Sequence, residues 1–75
     1  MQFNNLQPGD KARVIAYSQG DSVYNRQLMS LGLVPGTVFE VKKIAPLGDP
    51  IEIAFRGFRL AVRKDEAAVL MVERL

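Results

Sequence analysis

The chain has 75 residues and a formal net charge of +2, from ten lysines and arginines against eight aspartates and glutamates. It contains no cysteine, histidine or tryptophan, which excludes disulfides, thiolate chemistry and imidazole ligands. The length predicts a single domain over residues 1–75 with a small hydrophobic core. Because no basic segment precedes an apolar run and no run reaches about 18 apolar residues, we expect a cytoplasmic protein without membrane insertion.

A turn followed by a strand opens the predicted fold. Pro8-Gly9 is typical of a turn, and Lys11–Tyr17 then predicts a strand. A second Leu-x-Pro-Gly segment, Leu33–Gly36, also precedes a valine at the same spacing, which indicates one turn-then-strand solution used twice. By alternation we expect one strand face to carry Ala12, Val14 and Ala16 and the other to carry Lys11, Arg13, Ile15 and Tyr17.

A helix of about ten residues is predicted next, from Ser22 to Leu31. Tyr24, Leu28 and Leu31 recur at helical spacing and form one apolar stripe. Asp21 or Ser22 can act as the N-cap, because either side chain can accept a hydrogen bond from a free amide of the first turn.

The end of this helix is predicted from its glycine. Gly32 can take the left-handed conformation that ends a helix, and an apolar contact between Leu28 and Leu33 often accompanies such a cap. Pro35 prevents the helix from resuming, and Pro35-Gly36 suits the central positions of a type II turn. Gly32, Pro35 and Gly36 are therefore interpreted as structural turn residues.

Four further segments complete the predicted fold. Thr37–Ala45 predicts a bent strand, since Val38 and Ile44 break its alternation. A rigid corner, Pro46–Pro50, separates it from the next strand. The remaining segments are strand Ile51–Arg56, a turn at Gly57, strand Phe58–Arg63, a helical turn at Lys64–Ala68 and strand Val69–Arg74.

Alternation in the two middle strands predicts which side chains enter the core. We expect an inward face formed by Ile51, Ile53, Phe55, Phe58, Leu60 and Val62. The fold class is thus mainly β: a small five-stranded, partly open barrel, with one helix after the first strand and a helical turn before the last.

These motifs together resemble a known family, that of ferrous iron transport protein A, FeoA, over nearly all of residues 26–72. The most specific part is the combination of Leu-Gly-x-x-Pro-Gly with Ala-Pro-Leu-Gly-Asp-Pro. The residues that carry the likeness are Arg26, Leu28, Leu31-Gly32-Leu33, Pro35-Gly36, Val41, Ala45-Pro46-Leu47-Gly48-Asp49-Pro50, Gly57, Leu60, Val62-Arg63 and Glu66-Ala67.

The resemblance implies an SH3-like barrel and an accessory, regulatory role in bacterial ferrous iron uptake. It also implies a partner, the membrane transporter FeoB, which carries a cytosolic GTP-binding domain. A protein of this family would lie in the cytoplasm, peripheral to the inner membrane through that partner. A strand edge left open by the barrel would also permit a homo-oligomer.

The residue types argue against an enzyme, a cofactor or a tight metal site. No serine has a histidine to activate it, and no Gly-rich phosphate-binding motif is present. Ferrous iron favours imidazole together with carboxylate, whereas this chain offers carboxylates only. Asp65-Glu66 is a weak pair of ligands that is better explained by its position at a helix start.

The candidate partner-binding residues fall on the helix and in the corner. A rigid, exposed loop with an apolar tip binds at a low entropic cost, although folding alone would also require a corner of this composition. Met29 lies off the apolar stripe and is the better candidate for a contact surface, whereas Leu28 fits the core better than an interface. The candidates are Arg26, Leu28, Met29, Pro46, Leu47, Gly48, Asp49 and Pro50.

An alternative function is a small nucleic-acid-binding or metal-repressor-like SH3 module. Arg56, Arg59 and Arg63 lie on the outward face of one hairpin by alternation, with Lys42 and Lys43 nearby. No outward aromatic side chain is expected among them for stacking on bases. We therefore expect a solvated face, and no nucleic acid as a partner.

Overall fold

The structure, a computed structural model, describes residues 1–18 and 23–75. Five antiparallel strands form one sheet in the order β4-β3-β2-β1-β5. The predicted mainly β class, with a helix after the first strand and a short helix before the last, is confirmed. The elements are a 3-10 turn at Phe3–Asn5, β1 Lys11–Tyr17, α1 Val23–Leu31, β2 Val38–Ile44, β3 Ile51–Phe55, β4 Phe58–Val62, α2 Lys64–Ala67 and β5 Leu70–Arg74.

The sheet is open, because its two edge strands β4 and β5 do not pair with each other in the described part of the chain. The N-terminal residues cover the free side of β5. Gln2 forms a bridge with Met71, and the Val72 amide donates to the Met1 carbonyl at 2.8 Å. The free side of β4 has no such cover among residues 1–18 and 23–75.

The core lies between the inner face of the sheet, the 3-10 turn at Phe3–Asn5 and one side of α1. The rings of Phe3 and Phe39 approach to 5.5 Å between centroids. Burial of these side chains is the main favourable term in folding. The buried apolar residues are Phe3, Leu6, Ala12, Val14, Leu28, Leu33, Phe39, Val41, Ile51, Ile53, Phe55, Val62, Ala67, Val69, Leu70 and Val72.

Each of the two Pro-Gly turns forms backbone hydrogen bonds with the strand that follows the other turn. In the first turn the Gly9 amide donates to the Val41 carbonyl at 2.8 Å, and the Val41 amide donates to the Asp10 carbonyl at 2.9 Å. The second turn repeats this on β1: the Gly36 amide donates to the Val14 carbonyl at 2.8 Å. In turn, the Val14 amide donates to the Thr37 carbonyl at 2.9 Å. We call this reciprocal set of four hydrogen bonds the turn clasp.

A bulge in β1 changes which side chains face the core. The pairing of β1 with β5 shifts register between Val14 and Ala16, and such an extra residue moves the following side chains to the opposite face. The prediction that Ala16 shares the inner face is therefore wrong, because Ala16 is exposed. Tyr17 turns inward instead: its hydroxyl donates to the Leu33 carbonyl at 2.8 Å, and burial raises its pKa.

A second bulge explains the broken alternation of β2. Val41 pairs with Ile53, but the next pair is Lys43 with Glu52, so Lys42 is the extra residue. Ile44 consequently returns to the inner face and packs against the core. The bend that the sequence predicts in this strand thus has a local cause.

The end of α1 follows the glycine cap that the sequence predicts. Gly32 has φ +97°, and its amide donates to the Met29 carbonyl at 3.0 Å. The Leu33 amide donates to the Leu28 carbonyl at 3.0 Å. These two bonds define a Schellman motif, and both leucines that flank it are buried.

Two predictions of burial are corrected by the structure. Tyr24 and Leu31 of the helical stripe are 43% and 45% exposed, because α1 packs on the core through Asn25 and Leu28 only. Phe58 is 69% exposed although it lies on the inner face of β4. Edge strand β4 extends beyond the cover of the core, so burial falls from Val62 through Leu60 to Phe58. The predicted caps Asp21 and Ser22 lie outside the described residues.

Gly32 and Gly36 allow two causes of glycine preference to be separated. Both have nearly the same positive φ, +97° and +96°. A Cβ at Gly32 would lie 3.3 Å from the Phe55 ring, whereas a Cβ at Gly36 would meet nothing within 4 Å. Gly36→Ala should therefore lower the free energy of unfolding by about 1 kcal/mol through backbone strain alone.

Gly32→Ala should lower the free energy of unfolding further, by roughly 0.5–1 kcal/mol more, because Phe55 must also move. Urea denaturation of the two variants beside the native chain measures the difference. Equal losses in both variants would show that the ring of Phe55 yields freely and that only the backbone requires glycine at position 32.

Candidate partner-binding site

The corner between β2 and β3 is a closed loop with an apolar tip. The Gly48 amide donates to the Ala45 carbonyl at 2.7 Å, and the Ala45 amide donates to the Pro50 carbonyl at 3.1 Å. The peptide bond before Pro50 is cis. Leu47 stands at the tip and is 96% exposed, the largest exposed fraction among the large apolar side chains described. The loop therefore presents one leucine on a hydrogen-bonded frame.

Asp49 anchors this corner to the start of α2. Its Oδ1 accepts from the Lys64 amide at 3.0 Å, and its Oδ2 lies 3.3 Å from a guanidinium nitrogen of Arg63. A carboxylate at a helix start satisfies a free amide there. Asp49 is therefore committed to the fold, whereas Pro46 and Leu47 are exposed.

The candidates on α1 divide into exposed and buried residues. Met29 is 48% exposed, while Leu28 is 1% exposed and belongs to the core. Arg26 is exposed. Gly48 and Pro50 of the corner are half-buried, and Pro46 is exposed. Helix α2 contacts α1 and receives the Asp49 bond, so it joins the helix candidates to the corner candidates.

An apolar groove that the sequence does not reveal lies at the other end of β3. It has a volume of about 300 Å³ and runs between the last turn of α1 and the β3–β4 hairpin. The groove arises because Leu31 and Phe58, both expected in the core, are exposed beside it. We call it the hairpin groove; it is lined by Ser30, Leu31, Phe55, Phe58, Arg59 and Leu60.

The arginine face of the hairpin is partly neutralised by carboxylates. Arg59 lies 2.7 Å from Glu52, and Arg63 pairs with Asp49 at 3.3 Å. Arg56 is exposed at the hairpin turn with φ +52°. The prediction that Phe58 is buried is wrong, but alternation still places its ring on the opposite face of β4 from Arg59. The face therefore lacks the interleaved aromatics that base stacking requires.

The described residues contain no cluster of metal-ligating side chains. No group of three or more acidic, histidine or cysteine side chains in residues 1–18 and 23–75 could hold a metal ion. Within the same residues, neither helix has the length and apolarity that crossing a bilayer requires.

Comparison with known proteins identifies the family. The family model described as the FeoA domain matches residues 1–74. The chain belongs to the FeoA family. The likeness found over residues 26–72 is thus confirmed and extends into β1 and the first Pro-Gly turn.

Relatives of this chain are named for ferrous iron transport. One is the Fe(2+) transport protein A/Fe(2+) transporter FeoB fusion protein of Porphyromonas gingivalis, 32% identical over 73 residues. The match covers 97% of this chain and 8% of that protein, so the chain spans less than a tenth of the relative's length.

Solved structures of FeoA proteins share the fold. The FeoA-like protein of Clostridium acetobutylicum is 36% identical with a TM-score of 0.92, over 100% of this chain and 86% of that one. FeoA of Stenotrophomonas maltophilia, described as a procaryotic SH3 domain protein and complexed with zinc, is 25% identical with a TM-score of 0.81. That match covers 97% of this chain and 89% of that one. The SH3-like class predicted for this chain is confirmed.

Graded substitution of Asp49 tests its role as an anchor. Asp49→Ala removes the acceptor of the Lys64 amide and should lower the free energy of unfolding by about 1–2 kcal/mol, because that amide is left unsatisfied. Asp49→Asn keeps the acceptor and loses only a partly exposed ion pair, so its cost should stay below about 1 kcal/mol.

Urea denaturation followed by circular dichroism measures both Asp49 variants. Equal stability of Asp49→Ala and the native chain would mean that the corner is held by its backbone bonds alone.

Proposed function

We propose that this protein is a non-enzymatic accessory module that docks on the cytosolic portion of a FeoB-type ferrous iron transporter. The observation that carries the proposal is the Porphyromonas gingivalis relative, in which a segment matching this chain is joined to FeoB in one polypeptide. A covalent linker raises the effective concentration of two domains for each other. Where the two proteins are separate chains, a docking surface has to supply that proximity.

The corner supplies the best-suited contact residues. Leu47 is fully presented, and its loop is already held by two backbone hydrogen bonds and by Asp49. Binding through such a loop loses little conformational entropy, which leaves more of the contact energy for affinity. Burying the exposed Leu47 side chain in a partner pocket would contribute about 1.5–3 kcal/mol.

The exposed side of α1 supplies a second set of contacts. Met29 is half-exposed, and an unbranched thioether adapts to irregular partner surfaces. Arg26 lies nearby on the same helix and adds a polar contact. Leu28 is left out of the surface because it is buried. A module that acts through Leu47, Met29 and Arg26 needs no reactive group, and its place is the cytoplasmic face of the membrane that holds its partner.

The nucleic-acid alternative has weaker support. Two of its three arginines, Arg59 and Arg63, already face carboxylates within this chain. Nucleic-acid binding draws much of its energy from cationic side chains that displace counterions from the phosphates. An arginine already paired with a carboxylate contributes little of that energy.

Co-purification tests the docking proposal. The tagged native chain should retain the solubilised FeoB-type transporter of the same cell, and Leu47→Asp or Met29→Glu should each reduce retention about tenfold. A charge placed in an apolar contact has to be desolvated on binding, which explains the loss. Circular dichroism of both variants verifies that the fold is kept.

Ile15→Glu is the matched control, because Ile15 is as exposed as Met29 but lies on β1, away from both contact sets. Its retention should stay within about twofold of native. The docking proposal fails if the native chain does not retain the transporter. If retention is native-like in both Leu47→Asp and Met29→Glu, the transporter binds a different surface.

A further inference from the structure

Strand β4 offers unpaired backbone groups along a free edge. It pairs with β3 across the two-residue turn Arg56-Gly57, and Phe55 lies opposite Phe58. In a hairpin of this kind the residues next to the turn exchange hydrogen bonds, and hydrogen-bonded pairs then alternate with non-bonded pairs. Phe58 and Leu60 therefore direct their amides and carbonyls to β3. Arg59 and Ala61 direct theirs to the open side.

The hairpin groove lies directly beside this edge. Phe58 and Leu60 project from the inner face of β4 into the groove, opposite Leu31 of α1 and above Phe55. A strand added to β4 would place every second side chain on this inner face, because side chains alternate across a sheet. Those side chains would fill the groove and have to be apolar.

The other side chains of an added strand would lie on the outer face, beside arginines. The positive side chains there or at the adjoining turn are Lys42, Lys43, Arg56, Arg59 and Arg63, against three carboxylates, Glu40, Glu52 and Asp49. The excess of two positive charges favours acidic side chains at the outward positions of the added strand.

We propose that the β4 edge and the hairpin groove bind an extended acidic peptide segment in which apolar side chains alternate with glutamate or aspartate. Its backbone pairs with Arg59 and Ala61, its apolar side chains enter the groove, and its carboxylates meet the arginine face. This site goes beyond the docking surface proposed above, because it uses different residues and a different kind of contact.

A second copy of this chain fits the same edge poorly. Antiparallel pairing of two β4 strands with Leu60 opposite Leu60 would bring the hairpin turn of each copy, which carries Arg56, towards the end of the other copy's β4, where Lys64 begins α2. Arg63 of each copy would also lie near the other copy's hairpin turn. Like charges at these positions repel. Charge complementarity therefore selects a separate acidic strand over self-pairing.

Short synthetic peptides test the proposal on the full chain. The probe is an eight-residue, end-capped peptide of alternating valine and glutamate, and its charge control replaces each glutamate by lysine. Amide chemical shifts of the labelled protein should move at Arg59 and Ala61 and around the groove. The valine–glutamate peptide should bind at least about tenfold more tightly than the valine–lysine peptide.

N-methylation of the probe separates strand pairing from simple insertion into the groove. In antiparallel pairing the glutamate amides of the peptide face Arg59 and Ala61, so methyl groups on these amides remove its donors to β4 and should abolish binding. Methyl groups along the other edge point to solvent and should change affinity by less than about threefold. Equal binding of the two methylated peptides would overturn the proposal.

Substitutions in the protein complete the test. Ala61→Pro removes an amide that faces the open side, a position where proline is tolerated in an edge strand, and should weaken the probe about tenfold or more. Ala61→Thr keeps that amide and should stay within about twofold. Phe58→Ser and Arg59→Glu should each weaken binding about tenfold, through the groove and the charge respectively.

Three results would contradict the inference. Undiminished binding of the probe by a folded Ala61→Pro variant would show that the edge is not used. Tighter binding of the lysine peptide would refute the charge argument. Concentration-dependent dimerisation of the native chain in sedimentation experiments, lost in Ala61→Pro, would make a second copy the occupant of this edge.

Discussion

The turn clasp is the constraint on which the rest of the structure depends. Each Pro-Gly turn donates from its glycine to the strand that follows the other turn, so β1 and β2 are held together at both of their starting points. The clasp fixes the register in which Val14 and Val41 are both buried. It requires positive φ at Gly9 and Gly36, and the prolines before them restrict the unfolded chain as well. Helix α1 therefore lies between two positions of the chain, Val14 and Gly36, that the clasp already holds together.

Rigid surroundings hold the proposed contact residues of the corner in place. The corner keeps Leu47 exposed because its backbone bonds are made within the loop and Asp49 ties it to α2. An exposed leucine on a mobile loop would bind at a higher entropic cost. The hairpin groove lies where α1 ends, because Leu31, the last residue of the helix, lines it together with Phe55 and Phe58. The corner thus follows the end of β2, and the hairpin groove follows the end of α1.

Local chemistry made much of this fold predictable, whereas long-range geometry did not. The Gly32 cap, the Pro35-Gly36 turn and the alternating strands follow from conformational preferences that act within a few residues. The inward turn of Tyr17 could not be anticipated, because a bulge in β1 depends on its pairing with β5. Alternation assigns Phe58 to a face but does not say whether anything covers that face. The bond from Asp49 to Lys64 joins residues 15 positions apart, and no sequence pattern marks it.

The corner and the β4 edge lie at opposite ends of strand β3, so one partner can contact both. β3 begins next to the corner and ends at the hairpin, so five residues at about 3.3 Å each separate the surfaces by roughly 15 Å. An interface of ordinary size, about 800 Å² on each partner, can cover both ends at once. The corner fits a pocket, whereas the β4 edge reads an alternating acidic sequence. A partner with both a pocket for the corner and an acidic strand for the β4 edge would bind more tightly than a partner with only one of them. The two contacts lie on one rigid strand, so forming the second requires no further ordering of this chain.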